Sequence, residues 1–215
     1  WVDCGRVGTH KTTGVMGLIV HRGNLYAGLS TYDWTRVFSG KYEPAHVYRY
    51  AGGTTWNDCG QPGEMLRINC MATYGGRLYV GGDRGLPPPG EKQWTGRPYC
   101  VYVWDGDHGW SVAGSFPAEP PGNCYPHAMA VHNGKLYVGY PNVYAFDGHR
   151  WEFAGTPIGN TPLDRKPFLQ VHSLEVFRGK LHAGMWPEAR VVEYQGQENW
   201  IDRGRLGDGT EINAL

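Results

Sequence analysis

Reactive polar side chains stand at two fixed positions in this sequence, seven and nine residues ahead of a glycine turn that recurs along the chain. Tyrosine and histidine can act as general acids or bases, and arginine can neutralise a carboxylate. Because successive side chains of a strand alternate between its faces, positions seven and nine point the same way. The predicted ligand-binding set is Arg67, Asn69, Tyr125, His127, Gln170, His172, Glu211 and Asn213.

These residues leave three interpretations open: a ligand site, a catalytic site, or the polar lining of a wet channel. Lyase chemistry could use Tyr125, His127 or His172 as a base, with Arg67 neutralising a uronate. A glycosidase needs two carboxylates, whereas only Glu211 falls in the set, and a sialidase-like site needs more than one arginine. No HExxH, CxxC or His-x-His spacing occurs, so no metal and no cofactor is expected.

Two long connections carry a second group of candidates. They cover residues 30–45 and 83–99 and are rich in aromatic residues, and long loops in compact domains often bind ligands. Exposed aromatic rings beside polar groups can grip a glycan or a peptide. The predicted loop residues are Trp34, Trp94 and Arg97, with Trp186 at the same place in the fourth copy. Taken singly, each tryptophan is better explained as an anchor that holds its loop on its own blade.

The elements that position these side chains follow from a repeat. The frame Gly-x-Leu-aromatic-small-Gly occurs four times, as GNLYAG (23–28), GRLYVG (76–81), GKLYVG (134–139) and GKLHAG (179–184). Repeats of about 40–50 residues are typical of propeller blades or solenoid turns. Each copy divides into four short strands, a to d, joined by glycine-rich turns, with almost no helix. The sequence therefore predicts an all-β protein, a β-propeller of four-stranded antiparallel blades.

The last strand of each copy begins at a tryptophan that is followed four residues later by glycine. Trp1 and Gly5 repeat the same spacing. We expect the tryptophans of the complete copies, Trp56, Trp110, Trp151 and Trp200, to pack blades rather than bind ligands. Because Trp1–Gly5 and residues 211–215 match single strands of the frame, the prediction is four complete repeats with partial repeats at both ends. That pattern favours an incomplete piece of a larger propeller, built as a single domain over residues 1–215.

The sequence of the repeat resembles the repeats of kelch-type and galactose-oxidase-central-domain propellers. The residues that carry the resemblance are HAMAVHNGKLYVG (127–139), VYAFDGHRW (143–151), MATYGGRLYVGG (71–82) and VYVWDGDHGW (101–110). The resemblance implies the propeller fold and a ligand site around the central channel, where the d–a and b–c loops emerge. It leaves the function open, because such propellers host enzymes, lectins and scaffold proteins.

Composition narrows the partners. The formal net charge is zero, which gives no overall attraction to nucleic acid. The sequence contains no run of 18 apolar residues, so no transmembrane helix is predicted. The five cysteines are best explained as free structural thiols, with Cys70 at a small buried position; Cys70 with Cys124 is the pair considered for a disulfide. We expect an extracellular, non-catalytic module that binds a glycan or protein. The alternatives are a polysaccharide-active enzyme and a structural module completed by self-association or by a partner chain.

Overall fold

The chain divides into two compact units, Trp1–Ala118 and Glu119–Leu215. The computed structural model describes residues 1–32, 43–84, 98–116, 125–157 and 169–215. The single domain predicted over residues 1–215 stays a prediction. The described residues contain strands and one three-residue 3-10 turn at Gly106–His108, as the sequence predicted. No helix in these ranges has the length and apolar character to cross a membrane.

The first unit contains two four-stranded antiparallel blades joined by one strand pair, Ser30 with Arg67. In each blade, neighbouring strands in the chain are neighbours in the sheet. Blade 1 comprises β1 (Gly14–His21), β2 (Asn24–Ser30), β3 (Val47–Gly52) and β4 (Thr55–Asp58). Blade 2 comprises β5 (Arg67–Tyr74), β6 (Arg77–Asp83), β7 (Tyr99–Trp104) and β8 (Trp110–Phe116).

The second unit contains two more sheets of the same topology. Blade 3 comprises β9 (Ala128–His132), β10 (Lys135–Gly139), β11 (Val143–Phe146) and β12 (Trp151–Phe153). Blade 4 comprises β13 (Gln170–Phe177), β14 (Lys180–Trp186), β15 (Arg190–Gly196) and β16 (Asn199–Arg205). The four predicted strands per repeat are therefore present in every copy, and the fold class is confirmed.

Two-residue turns join the first two strands of each blade. Arg22 and Gly23 have φ angles of 49° and 75°, and Arg178 and Gly179 have φ angles of 49° and 73°. Positive φ at both central residues is the signature of a type I′ hairpin turn, whose twist matches that of the flanking strands. The turn fixes the register of each hairpin, and the register in turn fixes which face each polar side chain occupies.

The glycine that ends the repeat frame lets consecutive blades approach. A Cβ atom placed on Gly139 would lie 2.5 Å from Cγ1 of Val171, and one on Gly28 would lie 2.7 Å from Cγ2 of Ile68. Val171 and Ile68 are fully buried in these contacts. Each stands eight residues before its turn glycine, between the two polar positions, so the predicted alternation of apolar packing and polar exposure is present.

Three of the repeated tryptophans bond to the copy that precedes their own. The indole Nε1 of Trp110 donates a hydrogen bond of 2.9 Å to the carbonyl of Cys59, and that of Trp200 donates one of 2.8 Å to the carbonyl of Ala154. In both cases the acceptor precedes the glycine that ends the previous copy. Trp56 makes the same bond to Cys4. The blade-packing role predicted for these three residues is confirmed.

The two partial copies keep the contacts of the repeat without its ladder. Neither residues 1–5 nor residues 211–215 form a strand, contrary to the single strands expected there, because neither segment has a ladder of neighbours to pair with. The carbonyl of Cys4 nevertheless accepts the Trp56 bond. Ile212 is buried against Gly184, where a Cβ atom would lie 2.8 Å from it. These segments therefore occupy the positions of strands d and a.

Four of the five cysteines lie in the described part of the chain. Cys4, Cys59, Cys70 and Cys100 are free thiols. Cys70 is buried, and burial raises the pKa of its thiol. Cys124 lies outside the described residues.

Candidate functional site

Aromatic rings of blades 3 and 4 form a row at the predicted channel mouth. Tyr125 and His127 precede β9, and their ring centroids lie 4.4 Å apart. His127 stacks on His172, near the start of β13, with centroids 4.5 Å apart and an interplanar angle of 26°. The spacing of seven and nine residues before the turn therefore brings together residues more than 40 positions apart in the sequence.

Trp186 extends the row beyond His172. Its ring centroid lies 6.4 Å from that of His172, and the two planes are inclined by only 9°. Trp186 ends β14 and stands directly across the hairpin from Gln170. We call Tyr125, His127, His172 and Trp186 the aromatic row. It joins one predicted loop residue to three predicted channel residues.

Polar side chains hold His172 on its edges. Its Nδ1 lies 3.2 Å from Oδ1 of Asn213 and 3.3 Å from the carboxylate of Glu211. Its Nε2 lies 2.9 Å from Oε1 of Gln170. The predicted residues Gln170, Glu211 and Asn213 thus meet at one imidazole.

These partners define the protonation of His172. Burial lowers its pKa below the usual 6.5, although the Asn213 hydrogen bond and the Glu211 carboxylate oppose that shift. A neutral ring fits the geometry when Nδ1–H donates to Asn213 or Glu211 and the Gln170 amide is turned so that its NH₂ group, in place of Oε1, faces Nε2 and donates to it. His172 is thus a neutral anchor for three polar side chains.

The engagement of both nitrogens limits the chemistry that His172 can perform. Its side chain is only 11% exposed, whereas that of Glu211 is 43% exposed. A general base must reach the proton that it removes. The surface that a ligand would meet is therefore built from Glu211, Asn213 and the end rings of the aromatic row, with the imidazole behind them.

In the first unit the predicted residues lie in a different setting. Arg67 begins β5, where its Nε donates a hydrogen bond of 2.9 Å to Asp83, directly across the hairpin. Its guanidinium carbon lies 4.8 Å from the ring centroid of Tyr32. Because the Asp83 carboxylate is buried beside it, Arg67 is a partly neutralised group. Nδ2 of Asn69 is buried and has no hydrogen-bond partner among the described residues.

The predicted residues therefore group by unit. Arg67 and Asn69 belong to the first unit, and the other six channel residues and Trp186 belong to the second. Trp34, Trp94 and Arg97 lie outside the described residues, so their predicted role in binding stays a prediction. Within the described ranges, no three His, Cys, Asp or Glu side chains converge as a metal site would require.

One histidine–aspartate pair escaped the sequence analysis. Nδ1 of His46 lies 2.9 Å from the carboxylate of Asp58, an arrangement that also occurs in catalytic dyads. The repeat gives it a structural explanation. In blade 4 the same two positions hold Arg190 and Asp202, whose atoms lie 2.7 Å apart. We therefore assign the His46–Asp58 pair to the joining of strands c and d; aligning the copies could have revealed it.

Comparisons with known proteins support the fold. No family model matches the chain, and no curated protein matches it. Among solved structures, a catalytically inactive virginiamycin B lyase from Staphylococcus aureus, with quinupristin, superposes with a TM-score of 0.59 at 9% identity, covering 93% of this chain and 58% of the lyase.

The extracellular domain of BT4673 from B. thetaiotaomicron, described as a one-component system, superposes with a TM-score of 0.56 at 11% identity, covering 99% of this chain and 31% of that domain. The chain thus spans less than two thirds of the solved structures it resembles. These likenesses and the four antiparallel blades place the chain among the β-propeller folds.

Proposed function

We propose that this propeller binds a glycan through the aromatic row, without catalysing a reaction on it. The observation that carries the proposal is the environment of His172, whose two nitrogens are engaged by Gln170, Asn213 and Glu211. An imidazole held in this way orients its neighbours and is poorly placed to take a proton from a substrate.

The chemistry of the surface favours a sugar. Tyr125 and Trp186 stand at the two ends of the aromatic row. Apolar ring faces beside convergent amide and carboxylate groups suit the mixed apolar and hydroxyl surface of a pyranose. Glu211 and Asn213 supply acceptors and donors for hydroxyl groups. A protein ligand with exposed aromatic and amide side chains is the related possibility that a binding screen includes.

A polysaccharide-active enzyme is the second candidate. The observation in its favour is the lowered pKa of His172, since a neutral imidazole is the form that a general base requires. The solved structures that share the fold include a lyase. Against this candidate, Arg67, the group expected to neutralise a uronate, is paired with Asp83.

A binding screen with site variants separates the two candidates. We expect neutral and acidic oligosaccharides screened on an array to yield a ligand, and isothermal titration to show about tenfold weaker binding by Tyr125→Ala and by Trp186→Ala. His149→Ala, on an exposed turn of blade 3, serves as the matched control and should bind as the wild type does.

Turnover is measured on the same ligands by the ultraviolet absorbance of unsaturated products. Turnover that His172→Ala abolishes would establish the enzyme instead. Unchanged binding by both aromatic variants would exclude the aromatic row as the site.

We also propose an extracellular location and a kelch-like repeat. The proposed location is supported by the domain of BT4673 that shares this fold, which is extracellular. The kelch-like interpretation is supported by the sequence of residues 127–139 and 143–151.

A further inference from the structure

A basic cleft opens in the first unit, between blades 1 and 2. In an antiparallel blade the a–b and c–d turns share one end, and the b–c and d–a loops share the other. The cleft lies at the turn end, between blades 1 and 2, and has a volume of about 360 Å³. The residues that matter for its chemistry are His21, Arg22, Arg49, Arg77, Trp104 and Asp105.

Three guanidinium groups face one carboxylate in this cleft. Nη2 of Arg77 donates a hydrogen bond of 2.8 Å to Asp105. Within the described ranges, no carboxylate pairs with Arg22 or Arg49. Nη2 of Arg22, in blade 1, lies 3.8 Å from where a Cβ atom would stand on Gly76, in the turn of blade 2. The side chain thus reaches across the cleft.

The remaining titratable group adds no charge to the cleft at neutral pH. His21 is buried, and its Nδ1 lies 3.2 Å from the hydroxyl of Thr73. Burial and the neighbouring Arg22 both lower the pKa of His21. Three arginines against one aspartate therefore leave an excess of two positive charges.

The repeat shows that this excess is particular to the first unit. Arg49 pairs across its hairpin with Tyr26, and at the same frame position in blade 4 Glu193 pairs across with His182. The Glu193 carboxylate accepts hydrogen bonds from Lys180 (2.6 Å) and Arg203 (2.8 Å). Blade 4 thus neutralises its basic side chains with the residue that blade 1 replaces by arginine.

Blade 3 also neutralises its basic residue, because Lys135 donates a hydrogen bond of 2.8 Å to Glu152. At the corresponding position blade 1 has Asn57 and blade 2 has Ser111. The cleft between blades 1 and 2 therefore lacks both carboxylates that balance the charge elsewhere, and uncompensated like charges attract an anion.

We propose that this cleft binds an anionic sugar, one that carries a carboxylate or a sulfate. Guanidinium groups match the oxygen pairs of such groups in charge and geometry. Trp104 gives the cleft an aromatic wall, against which a sugar ring can lie. The volume is near the lower end of the roughly 300–1,000 Å³ of ligand sites, which suits one or two sugar rings.

Isothermal titration with three disaccharides tests the proposal. The probes are a uronate-containing disaccharide, its sulfated form, and lactose as the neutral comparison. We expect both anionic probes to bind, the sulfated one more tightly, and added salt to weaken both. Arg22→Gln and Arg49→Gln should each weaken binding about tenfold, the loss of one charge-assisted hydrogen bond.

The matched control is Arg178→Gln, because Arg178 occupies the same turn position in blade 4 with the same φ of 49°. It should leave binding unchanged. Arg49→Glu, which imitates blade 4, should abolish binding without lowering the unfolding temperature. Equal binding of lactose, an equal loss in Arg178→Gln, or no binding of either anion would overturn the proposal.

The proposal for this cleft can be tested separately from the proposed glycan site. Tyr125→Ala, in the second unit, should leave the titration with anionic disaccharides unchanged, so the failure of one proposal is distinguishable from the failure of the other.

Discussion

His172 shows how one side chain can organise a surface without reacting on it. It stacks against His127 and Trp186 and binds three polar side chains with its edges. Burial lowers the pKa of the folded imidazole below the 6.5 of an exposed histidine, which favours its neutral form at pH 7. That shift makes the free energy of unfolding depend on pH.

The sign follows from proton binding. Between the folded pKa and 6.5 the unfolded chain binds more protons than the folded one, so the His172 contribution is complete above 6.5 and is lost as the pH falls. In two other copies the position equivalent to His172 holds asparagine, Asn69 and Asn213. We therefore expect the free energy of unfolding of His172→Asn to fall less than that of the wild type between about pH 7.5 and pH 5.5.

Unfolding temperatures of both proteins across that range measure the difference, with about 2–4 °C for each kcal/mol in a chain of this length. His21 and His132 also have lowered pKa values, and both residues are present in the wild type and in His172→Asn, so they contribute equally to the two curves. His149→Asn, at an exposed turn, should keep the wild-type pH profile. Parallel curves for the wild type and His172→Asn would contradict the assignment.

Residue positions were predictable from the repeat, but their partners were only partly so. The spacing before the turn placed His127 and His172 at equivalent positions, and they do stack. Arg67 was expected to face a ligand, yet it pairs with Asp83, its cross-strand neighbour. That pairing depends on the hairpin register, which shifts at a bulge between Ile68 and Cys70 that the sequence pattern does not mark.

At the level of elements, the four strands of each copy were predictable because glycine-rich turns separate them. The first strand, Gly14–His21, ends next to the Arg22–Gly23 turn. Positive φ at these positions favours few residue types, so the sequence carries the signal. The glycine that ends each frame carries a different signal, the contact between blades.

Substitution of Gly139 tests that contact. Gly139→Ala should lower the free energy of unfolding by about 1–3 kcal/mol, the usual cost of overpacking, because the new methyl group meets Val171. Denaturation by urea measures it. Gly14→Ala is the control, since Gly14 is also in a strand and has open space around it. Equal stabilities of the two variants would refute the role assigned to the frame glycine.

On the scale of the whole molecule, the first blade leaves an apolar face uncovered. Leu18 is 62% exposed and Val15 is 46% exposed, whereas Leu174 and Val171, at the same frame positions in blade 4, are 6% and 0% exposed. In blade 4 these side chains pack on the preceding blade, at Gly139. The repeat predicts how one blade packs on the blade before it, but it does not predict which surface packs on β1.

We expect the chain to self-associate through this face of β1, because contiguous apolar surface of the kind that blades normally bury favours association. Leu18→Glu should shift the protein towards monomer at high concentration in sedimentation velocity. Val112→Glu is the control: Val112 is 57% exposed on the outermost strand β8, at a position that holds Asp58 in blade 1. A wild type that stays monomeric at every concentration would contradict the expectation.

The hydrogen bonds that Trp56, Trp110 and Trp200 donate to a carbonyl of the preceding copy have a consequence for how such a chain can change in length during evolution. One whole repeat contributes one indole donor and one carbonyl acceptor, as Trp110 and Cys59 illustrate. Duplication or deletion of a whole repeat therefore keeps donors and acceptors equal in number, wherever in the chain it occurs. A shift by part of a repeat would leave an indole opposite the wrong backbone atom, so this bond selects for gene rearrangements in whole multiples of a blade.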